Sequence, residues 1–191
     1  ILPGVIEESH YSKDTQSDYV GALCTRVKSL TNGIYGSVLC AEDALSDAEM
    51  FDQNVIVDLS RVGSMETKSL LMGILVMKLQ EYRMCSSGMN SRLRHVTVLE
   101  EAHNLLRKTS AEQSQEGANL QGKSVEMLAN AIAEMRTYGE GFIIADQAPG
   151  LLDMSVIRNT NTKIILRLPD EEDRKLVGKS AALKEAQIDE L

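Results

Sequence analysis

Two consecutive carboxylates, Glu100 and Glu101, close the apolar run Val96-Thr97-Val98-Leu99 and are followed by Ala102-His103. A short run of this kind reads as a buried strand of a parallel sheet, and ligands collect beyond the carboxyl ends of such strands. Two acids at a sheet rim repel each other and lose solvation, so the pair suits chemistry that uses both. Nucleotide hydrolysis is such chemistry: one carboxylate holds the magnesium shell and the next polarises the attacking water. The plain alternative is a strand end at which Glu101 only opens the next helix, favoured by the helix dipole. A second polar candidate, Gln147, follows the run Gly141-Phe142-Ile143-Ile144-Ala145-Asp146. An amide just past that strand tip, beside the acidic pair, can hydrogen-bond both a γ-phosphate and the attacking water.

The elements that must position these groups follow from the apolar pattern. Asp14–Leu30 reads as a helix with Tyr19, Leu23, Val27 and Leu30 at helical spacing and Asn32-Gly33 as its stop. Ile34–Leu39 is a short strand candidate, and Ala41–Asp52 an acidic link. Val55–Ser60 predicts a second buried strand, whose Asp58 is better read as steadying the following turn than as a site residue. Gly63-Ser64 then caps a long helix, Met65 to about Met84, apolar on most faces, which implies helices on both sides of a sheet. Ser86–Arg94 reads as a flexible link carrying Arg92 and Arg94, Ala102 to about Arg107 as a short helix, and Lys108–Gln121 as an exposed loop. Lys163–Leu168 predicts a fourth strand. A helix follows that opens with Pro169-Asp170-Glu171-Glu172, and Ala181–Leu191 forms one more short helix.

One motif match is misleading. Gly117-Ala-Asn-Leu-Gln-Gly122-Lys123-Ser124 fits the phosphate-loop pattern GxxxxGK[ST]. That loop needs a buried strand running into its first glycine and a helix leaving the Lys-Ser. The upstream residues Thr109-Ser-Ala-Glu-Gln-Ser-Gln-Glu116 are too polar for such a strand. The match reads as coincidence, with Ser124 as the N-cap of a helix bearing Val125, Leu128, Ala129, Ile132 and Met135 on one stripe.

Composition narrows the class. A chain of 191 residues suffices for one domain with a full core, and its net charge of −8 excludes a general polyanion-coating protein. Cys24, Cys40 and Cys85 are too scattered for a zinc site or a disulfide framework, and His10, His95 and His103 lack metal-ligand spacing. Reduced thiols and the absence of an apolar run of about 18 residues point to a cytoplasmic protein with no membrane span. The chain opens on Ile1-Leu2-Pro3 without Met, which suggests a fragment of a longer protein.

The order of these pieces resembles a known family. The acidic-pair strand is followed by a helix ending Glu134-Met135-Arg136-Thr137-Tyr138-Gly139, then Asp146-Gln147-Ala148-Pro149, Arg158-Asn159-Thr160 and Ile164-Ile165-Leu166-Arg167-Leu168. Over roughly Val55 to Ile188 this is similar to the C-terminal half of the ATPase domain of HerA-like proteins, in the HerA/FtsK superfamily of P-loop motors. The resemblance implies an α/β fold: a partial RecA-like P-loop NTPase three-layer sandwich, mostly parallel, with helices on both faces. Residues 1–191 would form a single partial domain: a helical or irregular lead-in over 1–54, a sheet core with the motifs over 55–168, and C-terminal helices over 169–191. It also implies ATP and Mg2+ as ligands, with Glu100 as the Walker B acid holding magnesium through water, Glu101 as the catalytic glutamate and Gln147 as the sensor glutamine. Arg136 and Arg167 are similar to arginines that reach a neighbouring subunit's nucleotide; the alternative for each is a surface salt bridge. Two positions depart from the family pattern: the Walker B acid is Glu rather than Asp, and the sensor glutamine follows Asp146 where better-known motors carry Ser or Thr. The Walker A half would lie upstream of Ile1, so this chain alone is expected to bind ATP weakly or not at all and to be inactive.

Two functions from different classes follow from the resemblance. One is an ATP-driven, ring-forming (hexameric) translocase or helicase-like motor, with double-stranded DNA in its pore, touched by loops such as Ser86–Arg94 or Lys108–Lys123. The other is a non-motor assembly scaffold for a nuclease or other effector, with a conjugation- or secretion-type ATPase as a further alternative.

Overall fold

The computed structural model describes residues 4, 12–108 and 115–191. The chain falls into two compact units, Ile1–Ser46 and Asp47–Leu191.

In the first unit, α1 (Lys13–Leu30) starts where the Ser12 side chain accepts the Thr15 amide, with Asp14 in its first turn and Lys28 in its last, as the helix dipole favours. The segment expected as a strand is instead α2 (Gly33–Leu39). A strand needs a neighbour for its amides and carbonyls, whereas a helix satisfies them locally, and the amides of Gly36 and Cys40 bond to Asn32 and Gly36. Tyr19, Leu23 and Val27, the expected apolar stripe of α1, remain exposed.

The second unit carries the motifs. It begins with α3 (Asp47–Phe51), inside the stretch expected to be a link. The long helix α4 (Met65–Ser86) is capped as expected by Ser64, whose side chain accepts the Thr67 amide. Strand β1 (His95–Glu100) leads into a single 3-10 turn, Ala102–Asn104, rather than a helix reaching Arg107. Helix α5 (Gln115–Met135) begins well before Ser124, so part of the expected loop is helical and Ser124 is not a cap; residues 109–114 lie outside the described residues. The apolar stripe of α5 is as expected, with Val125, Ala129, Ile132 and Met135 all buried. After a 3-10 turn at Arg136–Tyr138 comes β2 (Glu140–Ala145), then a 3-10 turn at Pro149–Leu151, α6 (Met154–Asn159), α7 (Glu171–Ser180) and α8 (Glu185–Asp189).

Strands β1 and β2 pair in parallel, from His95 against Glu140 to Glu100 against Ala145. They form a βαβ unit with α5 in the crossover. Side chains alternate across a sheet, so Thr97, Leu99, Phe142 and Ile144 share one face and Val96, Val98 and Ile143 the other. The first face meets Val76 and Leu79 of α4 and Ala129, Ile132 and Met135 of α5 in one apolar core. The second face is exposed at Val96, Val98 and Ile143. Among the described residues, helices therefore cover one face of the sheet rather than the two expected.

The other two expected strands do not form. Residues 55–60 and 163–168 are irregular, with Ile56 95% and Ile164 89% exposed. Their apolar content is strand-like, but strand propensity is realised only against a neighbouring backbone and a packed face. The chain is α/β, with a two-stranded parallel sheet and helices. No helix among the described residues is long and apolar enough to cross a membrane.

Candidate active site

The tips of β1 and β2 converge on a small polar cluster. The chain leaves β1 through Glu101, which adopts the left-handed conformation, φ 49° and ψ 47°. For a residue with a Cβ this conformation costs on the order of 1–2 kcal/mol, so the surroundings must hold it. Directly after the turn, Ala102, Leu105 and Leu106 are buried in the core. The two tips are also tied by backbone: Lys108 donates to Leu151 O at 2.9 Å and Asp153 to Leu106 O at 2.8 Å, framing an antiparallel bridge between Arg107 and Leu152.

Within this frame, Gln147 Nε2 donates to Glu101 Oε1 at 2.7 Å. The residues expected as catalytic glutamate and sensor glutamine are thus in direct contact, although 46 positions separate them. Glu100, one residue earlier, ends β1 opposite Ala145 with its side chain exposed. His103 and Asp146 complete the cluster. Asp146 Oδ2 accepts both the His103 amide at 2.8 Å and His103 Nδ1 at 2.9 Å, and Asp146 Oδ1 accepts the Ala148 amide at 2.9 Å. The second Glu101 oxygen lies 3.6 Å from His103 Nδ1. The loop carrying Gln147 is further fastened by Asp173 of α7, which accepts the Gly150 amide at 2.7 Å.

The two arginines lie elsewhere. Arg136 is exposed in the turn that precedes β2, at the opposite end of a six-residue strand, about 20 Å from the Glu101 tip by strand length. It cannot serve the site of its own chain. Arg167 is exposed in the irregular segment before α7. Neither forms an ion pair with another described residue. Asp58 holds a turn, as expected: the amide and hydroxyl of Ser60 hold its carboxyl below the usual carboxylate range.

The phosphate-loop match at 117–124 sits inside α5. Helical backbone amides bond to carbonyls four residues back and are not gathered around an anion, so this segment offers no phosphate cradle. The link at 86–94 is also less free than expected, because Ser91 and Arg94 donate backbone bonds to Thr137 and Gly139. Gly139, at φ 83°, lets the chain turn against Arg92, whose carbonyl oxygen would lie 2.5 Å from an added Cβ.

A second polar cluster, which no motif in the sequence marks, lies at the far end of the sheet. Arg83 of α4, 5% exposed, donates to Glu140 Oε2 at 2.8 Å, to Asp52 Oδ1 at 2.6 Å and to the Phe51 carbonyl. Glu140, the fully buried first residue of β2, also accepts from Thr97 Oγ1 at 2.7 Å and meets His95 Nδ1 at 2.8 Å. Burial opposes the charge on Arg83, but Glu140 and Asp52 more than offset it and raise its pKa. The network ties α3, α4 and both strand starts together. It is closed on itself, and its role is structural.

Magnesium takes oxygen ligands and prefers one or two carboxylates together with substrate phosphates to an all-protein cage. Among the described residues no group of three or more His, Cys, Asp or Glu side chains is arranged to hold a metal, while the exposed carboxylate of Glu100 beside Glu101 supplies the donors that this mode requires. The residues present fit magnesium brought with a nucleotide. Comparison with protein-family models, curated proteins and solved structures finds no match to this chain.

Proposed function

We propose that this chain is the downstream part of a RecA-like ATPase domain of the HerA type, from a ring-forming motor that hydrolyses ATP to move along double-stranded DNA. The observation that carries the reading is the 2.7 Å contact between Gln147 and Glu101 at adjacent tips of two parallel strands. A base must lie within hydrogen-bond reach of the water it activates, and a second group must orient that water. Glu101 takes the first role, accepting the proton as water attacks the γ-phosphorus. Gln147 takes the second through the amide oxygen that its bond to Glu101 leaves available. Glu100 holds magnesium through water, and the bound ion neutralises charge on the phosphate oxygens. Arg136 and Arg167 act on a neighbouring subunit's nucleotide; the position of Arg136 at the far end of the sheet supports a role in trans. The phosphate cradle is supplied by the upstream half of the domain in the full-length protein.

A second reading is favoured by the net charge of −8: the ATPase core builds a scaffold around a nuclease or other effector and moves no DNA. Steady-state ATP hydrolysis by the full-length protein, with and without double-stranded DNA, separates the two. The motor reading expects DNA-stimulated turnover that falls by about a hundredfold or more in Glu101→Gln, the scale of losing a general base. Turnover indifferent to DNA moves the assignment to the scaffold. Turnover unchanged by Glu101→Gln sinks the assigned site.

A further inference from the structure

We infer that Asp146 and His103 are positioning residues: a clasp between the two strand tips that sets Glu101 against Gln147. The kinetic part of this inference rests on the hydrolytic role proposed for that pair.

The side chain of Asp146 is 2% exposed. A carboxylate that deeply buried is tolerable only if donors meet it, and three do. The backbone amide and Nδ1 of His103 both reach Oδ2, and the Ala148 amide reaches Oδ1. One oxygen therefore grips the turn after β1, and the other grips the loop after β2. Glu101 lies two residues before His103, and Gln147 lies between Asp146 and Ala148. The clasp thus fixes the backbone on both sides of the 2.7 Å contact and helps hold Glu101 in its left-handed conformation.

The chemistry of the partners accounts for the residue types. All three groups facing Asp146 are donors, so both of its oxygens must accept. Asparagine would turn an NH2 group towards a donor, and a serine hydroxyl would offer one short acceptor in place of two. Because the carboxylate only accepts, the proton of His103 resides on Nδ1. The second Glu101 oxygen lies 3.6 Å from the same nitrogen, beyond hydrogen-bond distance, so the ring is held by Asp146. None of these contacts leaves the clasp free to touch a ligand. Its effect reaches the reaction through Glu101 and Gln147.

Replacing His103 by two different residues tests this. The side-chain amide nitrogen of Asn occupies nearly the position of imidazole Nδ1 and keeps the bond to Asp146, whereas Leu removes it. In the full-length protein, His103→Leu and Asp146→Asn are expected to lower kcat by about tenfold to a hundredfold, the usual effect of a small misplacement. The KM for ATP should stay within about twofold, and His103→Asn should keep most of the wild-type kcat. Equal loss in His103→Asn and His103→Leu, or no loss in either, overturns the inference, as does an effect confined to thermal stability. Should Asp146→Asn fail to fold, the two His103 variants still decide.

A nitrogen-15 spectrum of the imidazole provides a readout independent of turnover. The Nδ1–H tautomer is expected in this chain, and the Nε2–H tautomer would contradict the clasp. If the wild type shows the Nδ1–H tautomer but hydrolyses no ATP, the hydrolytic reading fails while the clasp stands.

Discussion

Residue chemistry here depends on which neighbour each polar group meets, and two kinds of neighbour recur. At the strand tips, Gln147 bonds to Glu101 and His103 bonds to Asp146, with Glu101 and Gln147 exposed. At the opposite end, polar groups are matched to one another around the buried Arg83–Glu140 pair. Tyr82 illustrates the second kind: its hydroxyl donates to Asp52 at 2.5 Å. That bond raises the phenol's pKa, and the Tyr82 and Arg83 side chains together lower that of Asp52. The two groups have opposite pH signatures. The stability contributed by Asp52 is present above the ordinary carboxylate pKa of about 4 and is lost as pH falls through its lowered value. That contributed by Tyr82 is present below about pH 10 and is lost as pH rises through its raised value. Ultraviolet titration of the phenolates should show Tyr82 ionising after the other tyrosines, with Asp52→Asn bringing it back towards them. A uniform titration would contradict the contact. At this scale the sequence was informative about which polar residues close apolar runs and so stand at the strand tips. It was silent about Asp146 as a clasp and about Glu140, whose partners come from segments 43 to 57 positions away.

Among the elements, periodicity served helices better than strands. The α1 helix, α4 and the second half of α5 were legible, since a helix satisfies its own backbone and needs only caps and one apolar face, whereas the first half of α5 was expected as a loop. Ser64 before α4 and Asp170 before α7 mark their starts plainly. Strands are a pairwise property. Val96–Glu100 and Gly141–Ala145 pair and were legible; Val55–Ser60 and Lys163–Leu168 have the same composition but find no partner among the described residues, and Ile34–Leu39 coils instead. The α5 helix runs through the phosphate-loop match, and the sequence upstream of those glycines, 109–116, is too polar for the buried strand that would hold them open. Pairing also divides the sheet into an energetic face and a bare one. Leu99 is 8% exposed and Ile143 is 54% exposed, on opposite faces. Leu99→Ala is therefore expected to cost about 2–5 kcal/mol in urea unfolding, the usual range for a buried leucine. Ile143→Thr should change stability by no more than about 0.5 kcal/mol, as at other surface positions. Similar costs at the two positions would mean that the second face is covered after all.

For the whole molecule, the two ends of the sheet have different tasks. The amino ends of the strands are locked by the Arg83–Glu140 pair, whose charges are buried together and would be destabilising if separated. The carboxyl ends hold the acid–amide pair under a strained backbone, an arrangement that costs stability and is therefore expected where function needs it. The bare apolar face at Val96, Val98 and Ile143, and Ile56 and Ile164 in the irregular segments, are apolar surface of the kind that further structure covers. That character is consistent with the proposal that the nucleotide cradle comes from elsewhere in the full-length protein. In the proposed function, Glu101 and Gln147 act as one unit on one water. Residues that act as a unit are strongly non-additive when removed together. The direct measurement is kcat for ATP hydrolysis in the full-length protein and in Glu101→Gln, Gln147→Ala and the double variant. The double variant should be no slower than Glu101→Gln alone. Losses that multiply would show two groups acting independently and would contradict it.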